Sequence, residues 1–428
     1  MLKALRNFLG LSAWSGALAL CLILLTTPDY IDAVTAFEVR LSAVAPSQRF
    51  DLVSWIVSAF TGKVRDRVEG VATGLDDPAR EAAITRYFQL ARDEEDLRNR
   101  IMQRRAQSAP AEELTNLETQ RGARRADKLA IQPQVETIIA QRVEHAAQAE
   151  GLAQDLPLNP QIILPPVSFS YVTPPLLLVM SPHDRIVQQR TVHLLADMTL
   201  AQIEVAEANA DRLGYVSLIV PIGGVGTYPT MVLENSSYDT SLEIVSHEWT
   251  HNFLDVRPLG LNYDRDGNMT TINETTANIS GHELANQVRG LPVPTYEDDP
   301  VEPPQPNPAP GKPPEFDFNR EMAATRRAVD VLLKAGSVPE AESYMEAQRK
   351  LFVAHGYALR KLNQAYFAFY GSYADSGVGS VNPIGGELKR LRRASGTLKE
   401  YLATIAAVSN FEEYRALLKA KGIAEGKR

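Results

Sequence analysis

From Asp76 to Glu150 the chain is rich in Ala, Arg, Glu and Gln and carries few strand signals. Such a stretch has one economical solution, the α-helix, so a largely helical architecture is set before any other feature is read. Ile84, Phe88, Leu97 and Ile101 recur at helical spacing, and Ser108-Ala109-Pro110 interrupts the pattern. The interruption predicts the turn of a helical hairpin. Charges of both signs alternate along the stretch, as on the solvated faces of a stalk or bundle rather than on a binding patch. We assign 48–152 to one helical region.

Length and composition narrow the function classes. With 428 residues the chain can build two or three domains. Its formal net charge of −8 argues against nucleic acid as a partner, since neutralising phosphates takes clustered Lys and Arg. A single cysteine excludes a disulfide framework and any multi-cysteine metal site. Metal chemistry must run on seven histidines and on carboxylates.

Lys3 and Arg6 precede twenty uncharged residues, Phe8 to Thr27. As a helix this run matches the ~30 Å hydrocarbon thickness of a bilayer. Cations at the short amino-terminal end place that end in the cytoplasm. The expectation is a single-pass anchor within 1–30, through residues 8–27, with the rest of the chain outside the cytoplasm. The alternative is a cleaved signal peptide, with small residues at Val34-Thr35-Ala36, and a secreted product.

Between 153 and 290 strands and helices mix, the pattern of an α+β unit. Leu176–Ser181, Arg185–Leu195 and Val216–Pro221 read as strands, and Thr199–Leu213 as an amphipathic helix. A Gly-rich turn, 223–226, leads into an extended segment, Thr227–Leu233. Residues 291–316 hold ten of the 27 prolines and read as an extended linker. From 317 to 428 the pattern returns to helices, at 319–335, 338–354, 355–372 and 395–420, with a loop at Gly377–Gly386.

Within Ile244–Leu254 the chain reads His247-Glu248-Trp249-Thr250-His251, an H-E-x-x-H pattern among apolar residues. On a helix His247 and His251 project from one face, so both imidazoles can reach one Zn²⁺. Glu248 lies about 100° around the helix, beside the metal, where it can take a proton from water. Catalytic zinc needs a third protein ligand. Glu274, separated from His251 by 22 residues, opens a second helix that can return antiparallel after a turn at Pro258-Leu259-Gly260. Asn278 follows one turn later on the same face. The other five histidines lack a partner motif and need no catalytic role.

His247-Glu248-x-x-His251 followed by Asn273-Glu274 resembles the gluzincin metallopeptidases, the thermolysin-like and aminopeptidase-N-like group. The resemblance covers about 230–290. It implies one Zn²⁺ held by His247, His251 and Glu274, with Glu248 as general base. It also implies a core of a small sheet and two metal-binding helices within 153–290, with a peptide or protein as substrate. In thermolysin-like members an Asp four residues after the third ligand orients a ligand His, and here that position is Asn278. The edge strand that pairs with substrate falls on 226–232, with Tyr228 and Thr230. A Tyr from beyond the second helix, Tyr370 or Tyr373, is expected to meet the developing oxyanion. The resulting expectation is a predominantly helical α+β chain: an anchor, a helical region, a catalytic core and a C-terminal helical domain. Its function would be that of a membrane-anchored zinc peptidase. Two rivals stand beside it: an anchored helical assembly protein with a structural or vestigial metal site, and a zinc hydrolase acting on a non-peptide bond.

Overall fold

Helix formers, interrupted where expected, produce the long hairpin. The computed structural model describes residues 44–156, 159–296, 316–371 and 383–425. Helix α1 (Leu52–Glu69) is followed by α2 (Asp77–Ala106) and α3 (Ala111–Ala149). Asp76 caps α2 by accepting from Ala79 N–H, with Pro78 in the first turn. Ser108 takes a positive φ of 53° at the turn and Pro110 opens α3. The pair is antiparallel, as Arg80 bonded to Gln141 and Arg104 bonded to Glu113 show. At the tip Leu97, Ile101 and Leu117 form a small apolar cluster of their own. Lower down, Tyr87, Phe88, Val135, Ile138 and Val143 belong to the main core. Only the tip has the character of a solvated stalk.

A hairpin, β1 (Gln154–Leu156) and β2 (Asn159–Ile162), precedes two three-stranded sheets. Their strands are β3 (Phe169–Val172), β4 (Leu176–Ser181), β5 (Arg190–Leu194), β6 (Val216–Val220), β7 (Gly224–Val225) and β8 (Thr230–Leu233). The first sheet is antiparallel in the order β5-β4-β6, and the second runs β3-β8-β7 with β3 parallel to β8. The run Leu176–Met180 is apolar throughout because β4 is central and covered on both faces. Leu178 and Met180 meet Ala206 and Ala210 of α4 (Leu200–Asp211), whereas Leu177 and Val179 meet helices from the C-terminal region.

The motif segment forms α5 (Tyr238–Leu254), a short α6 (Pro258–Leu261) and α7 (Gly267–Arg289). Ser237 and Asp266 cap α5 and α7 with their side chains. Trp249 and Phe253 of α5 and Ile272 and Ile279 of α7 occupy the centre of the main core. Trp249 also donates its indole N–H to Pro165 O at 2.9 Å.

Beyond the linker come α8 (Phe318–Lys334), α9 (Val338–Ala354), α10 (Gln364–Tyr370), α11 (Ile384–Ala394), α12 (Leu398–Ile405) and α13 (Phe411–Ala420). The region read as one C-terminal domain divides its packing. Met322, Met345 and Phe367 cover the β4 sheet, while Leu388, Tyr401 and Leu418 join the main core beside α5 and α7.

The chain is predominantly helical, as expected. Several boundaries differ for local reasons. The strand expected at Arg185–Leu195 begins at Arg190, because Ser181 Oγ binds Arg185 O and Val187 N–H and holds the preceding residues in a turn. The extended segment Thr227–Leu233 becomes strand only at Thr230, after Thr227 Oγ1 closes a turn onto Pro229 O. Gly356, at φ 89°, ends α9, so helix returns only at Gln364. The helix expected at 395–420 is two, with Asn410 capping the second. Of the loop expected at Gly377–Gly386, residues 384–386 begin α11 and 377–382 lie outside the described residues. The run Phe8–Thr27 also lies outside them, and among the described residues no helix is long and apolar enough to cross a membrane.

Glu144 of α3 accepts from Val167 N–H at 3.0 Å and ties the hairpin to the segment before β3. Burial raises its pKa to about 7, against the lowering pull of that N–H and of Arg67. A carboxyl raised in the folded state favours folding while protonated, so stability falls as pH rises from the unfolded value near 4.5 through 7. Glu144→Gln should therefore match wild type at pH 5 and exceed it by up to about 3 kcal/mol at pH 8. Parallel denaturant titrations at the two pH values check this, and an equal difference at both would contradict it.

Candidate metal centre

The spacing of the two histidines on α5 does what the sequence requires of it. His247 Nε2 and His251 Nε2 face each other at 3.0 Å. Glu274 Oε2, from α7, lies 3.5 Å from the first and 3.6 Å from the second. Around a zinc ion with bonds of about 2.0–2.2 Å, tetrahedral donors stand about 3.3–3.6 Å apart. The three donors thus sit close to the edges of such a tetrahedron. Glu274 Oε2 is buried and accepts no hydrogen bond. A buried carboxylate oxygen left in this state is costly unless a cation or proton meets it. The donor set, two imidazoles and a carboxylate, fits a divalent cation such as zinc.

Neighbouring groups aim these donors. Asn273 Nδ2 donates to Leu259 O, so its Oδ1 is the atom 2.8 Å from His251 Nδ1. Nδ1 therefore carries the proton and Nε2 presents its lone pair to the centre. Tyr263 donates its hydroxyl to Glu274 Oε1, which leaves Oε2 for the centre. The approach of the two helices is set by Gly281: a Cβ there would stand 3.0–3.2 Å from the N, Cα and Cβ of His247.

The electrostatics follow from burial and proximity. Burial would raise the Glu274 carboxyl, but the two imidazoles outweigh it and hold the group well below the usual carboxylate range. Burial disfavours a charged His251, yet Glu274 prevails and lifts it to about 9. The field that would hold a proton on His251 is the same field that would favour a metal cation. Glu248 accepts no side-chain hydrogen bond among the described residues, and burial raises its pKa against the pull of His247 and His251. Its carboxylate faces Gly224 and Gly226, where a Cβ would come within 2.6 and 3.3 Å of its oxygens.

These groups form the floor of a cleft of about 630 Å³. Its walls include β7, Leu177 and His193 of the first sheet, Phe369 of α10, and Asp255, Tyr263, Asn278 and His282. The geometry brings His247, Glu248, His251 and Glu274 together, and Asn278 lines the same cleft. His251 is oriented by Asn273, the residue before the expected ligand Glu274. Tyr228 and Thr230 need correction as the substrate strand. Both are buried, and β8 is paired on both sides, with β3 and β7. The open edge belongs to β7. Gly223 O accepts from Leu233 N–H, so the N–H and C=O of Gly224, one residue on, point away from β8. Tyr370 lies outside the cleft wall, its ring 4.6 Å from Tyr366 in an aromatic cluster, while its neighbour Phe369 reaches the wall. Tyr373 lies outside the described residues. His193 and His282, read from sequence as needing no role, both line the cleft.

Compared with protein-family models, with curated proteins and with solved structures, the chain matches none.

Two substitutions probe the supporting contacts. Asn273→Ala should weaken zinc affinity by about 10–100-fold by releasing His251. Gly281→Ala should do so by separating the helices at His247. Competition with a chromophoric chelator measures both, and affinities equal to wild type would contradict the assigned roles.

Proposed function

We propose that the protein is a zinc-dependent peptidase of the gluzincin type. The observation that carries the reading is the convergence of His247, His251 and Glu274 beside an unbonded Glu248 carboxylate on the floor of a cleft. A purely structural site has no use for that carboxylate. Zinc held by the three ligands would supply Lewis acidity toward a carbonyl and would lower the pKa of water.

The remaining roles belong to the chain. Glu248 accepts a proton from the attacking water at a carboxylate oxygen and delivers it to the departing amine. Burial raises its pKa, the direction that makes it a stronger base. Gly224 offers its outward N–H and C=O to an extended peptide, an added strand on β7. The short β7 and its glycines let the peptide backbone approach Glu248 closely. His193 and His282 line the cleft and carry donors, so we assign the oxyanion contact to one of them rather than to Tyr370. Burial lowers the pKa of His193, which keeps it neutral and able to donate through one ring nitrogen. As the sequence suggests, the chain is held at a membrane through residues 8–27 with the cleft outside the cytoplasm.

The decisive comparison is wild type against Glu248→Gln, with zinc content measured beside hydrolysis of a peptide library. Wild type should bind about one zinc and cleave peptides. The variant should keep the metal and lose about 10²–10⁴-fold in rate. A variant with both zinc and full activity would sink the mechanism. A wild type that binds zinc and cleaves no peptide would return the field to a non-peptide substrate or an assembly role.

A further inference from the structure

Asp255 stands four residues after His251 and seven after Glu248, on the face of α5 that carries the metal ligands. It is the C-cap residue of the helix, its N–H donating to His251 O at 2.8 Å. Its side chain lines the cleft and, among the described residues, makes no hydrogen bond or ion pair. Three circumstances disfavour a carboxylate there. It is largely withdrawn from water, it faces the negative end of the α5 dipole, and it shares the cleft with Glu248.

Among the described residues the attraction of His251 offsets this only in part. The cleft wall contains acidic residues, Glu243, Asp255 and Asp264 besides Glu248 and Glu274, and neither Lys nor Arg. Nearby arginines already have partners, one of them Glu243 of the wall itself. Arg257 stacks on the Phe253 ring at 3.5 Å and donates to Phe253 O. Arg265 donates to Ser409 O, and Arg289 pairs with Asp239 and Glu243. As a structural element Asp255 is misplaced. As a receptor for an incoming positive charge it is well placed, because the helix terminus and the acidic wall favour the same cation.

We infer that Asp255 determines substrate specificity by binding a cationic group of the substrate, a guanidinium or an ammonium, beside the metal centre. The inference rests on the peptidase reading and names its substrate class: peptides bearing positive charge next to the scissile bond. That charge can come from an Arg or Lys side chain or from a free amino terminus.

The test uses the zinc-loaded full chain and quenched fluorescent peptides that differ at one position, Arg, norleucine or Glu. Each is made with a free and with an acetylated amino terminus. Wild type should prefer Arg over Glu at one position by about 10–100-fold in kcat/KM. If the amino terminus supplies the charge, acetylation should instead cause a loss of that size. Asp255→Asn should flatten the preference, and Asp255→Lys should turn it toward Glu. Unchanged preferences in both variants, with wild-type zinc content and Tm, would overturn the assignment. A second readout needs no turnover: binding of labelled Arg- and Glu-containing peptide hydroxamates to the zinc-loaded protein, followed by fluorescence anisotropy. If no peptide is cleaved, the peptidase reading fails. The binding arm still judges Asp255, since equal affinities for the two hydroxamates in wild type would refute its role.

Discussion

The close approach of α5 and α7 is the constraint on which the rest depends. One carboxylate oxygen of α7 must sit within about 3.5 Å of two imidazoles on α5. A misplacement of 1 Å would leave a buried, charged oxygen facing nothing. Gly281 permits the approach, and the apolar residues on the outer faces of both helices enforce it. The helical hairpin on one side and α11 to α13 on the other press the pair together. Much of the molecule can thus be understood as a clamp around one contact between two helices.

The clamp is fastened by charges as well as by apolar surface. Lys128, fully buried in α3, lies 2.6 Å from Glu94 of α2 and 3.0 Å from Glu234 at the end of β8. Arg392 of α11 meets both oxygens of Glu283 on α7 at 2.7 and 2.8 Å. Such pairs contribute little net stability compared with apolar replacements, but each is expensive to break by removing one partner. They favour this arrangement of helices over others of similar hydrophobic content.

What the sequence made legible follows from how local each signal is. The helix carrying His247 and His251, the hairpin turn at Ser108-Ala109-Pro110 and the β4 strand are written in short-range periodicity, and the structure has all three. Glu274 could be named because a known spacing pointed to it. Asn273, Tyr263 and Gly281 were harder, since their roles exist only once α7 lies against α5. Asn273 was nonetheless adjacent to a named ligand, and Gly281 stands seven residues, two turns, beyond Glu274. The sheet edge expected at 226–232 lies instead at β7, because strand order is a long-range property. Alternation alone could not reveal that β8 is central and β7 is the edge. The division of the C-terminal helices between two layers was likewise invisible in a run of uniform helix formers.

The cleft draws its walls from two separate apolar cores. His247, His251, Glu274 and Asp255 are carried by helices of the core that includes the hairpin and α11 to α13. Leu177 and Phe369, on the opposite wall, belong to the core built on the β4 sheet by α8 to α10. The spacing of the three donors and the width of the cleft therefore rest on different sets of packed residues. Loosening the second core would move the Leu177 and Phe369 wall while the packing behind the donors stayed in place. Evolution could retune what enters this cleft without disturbing what waits at its floor.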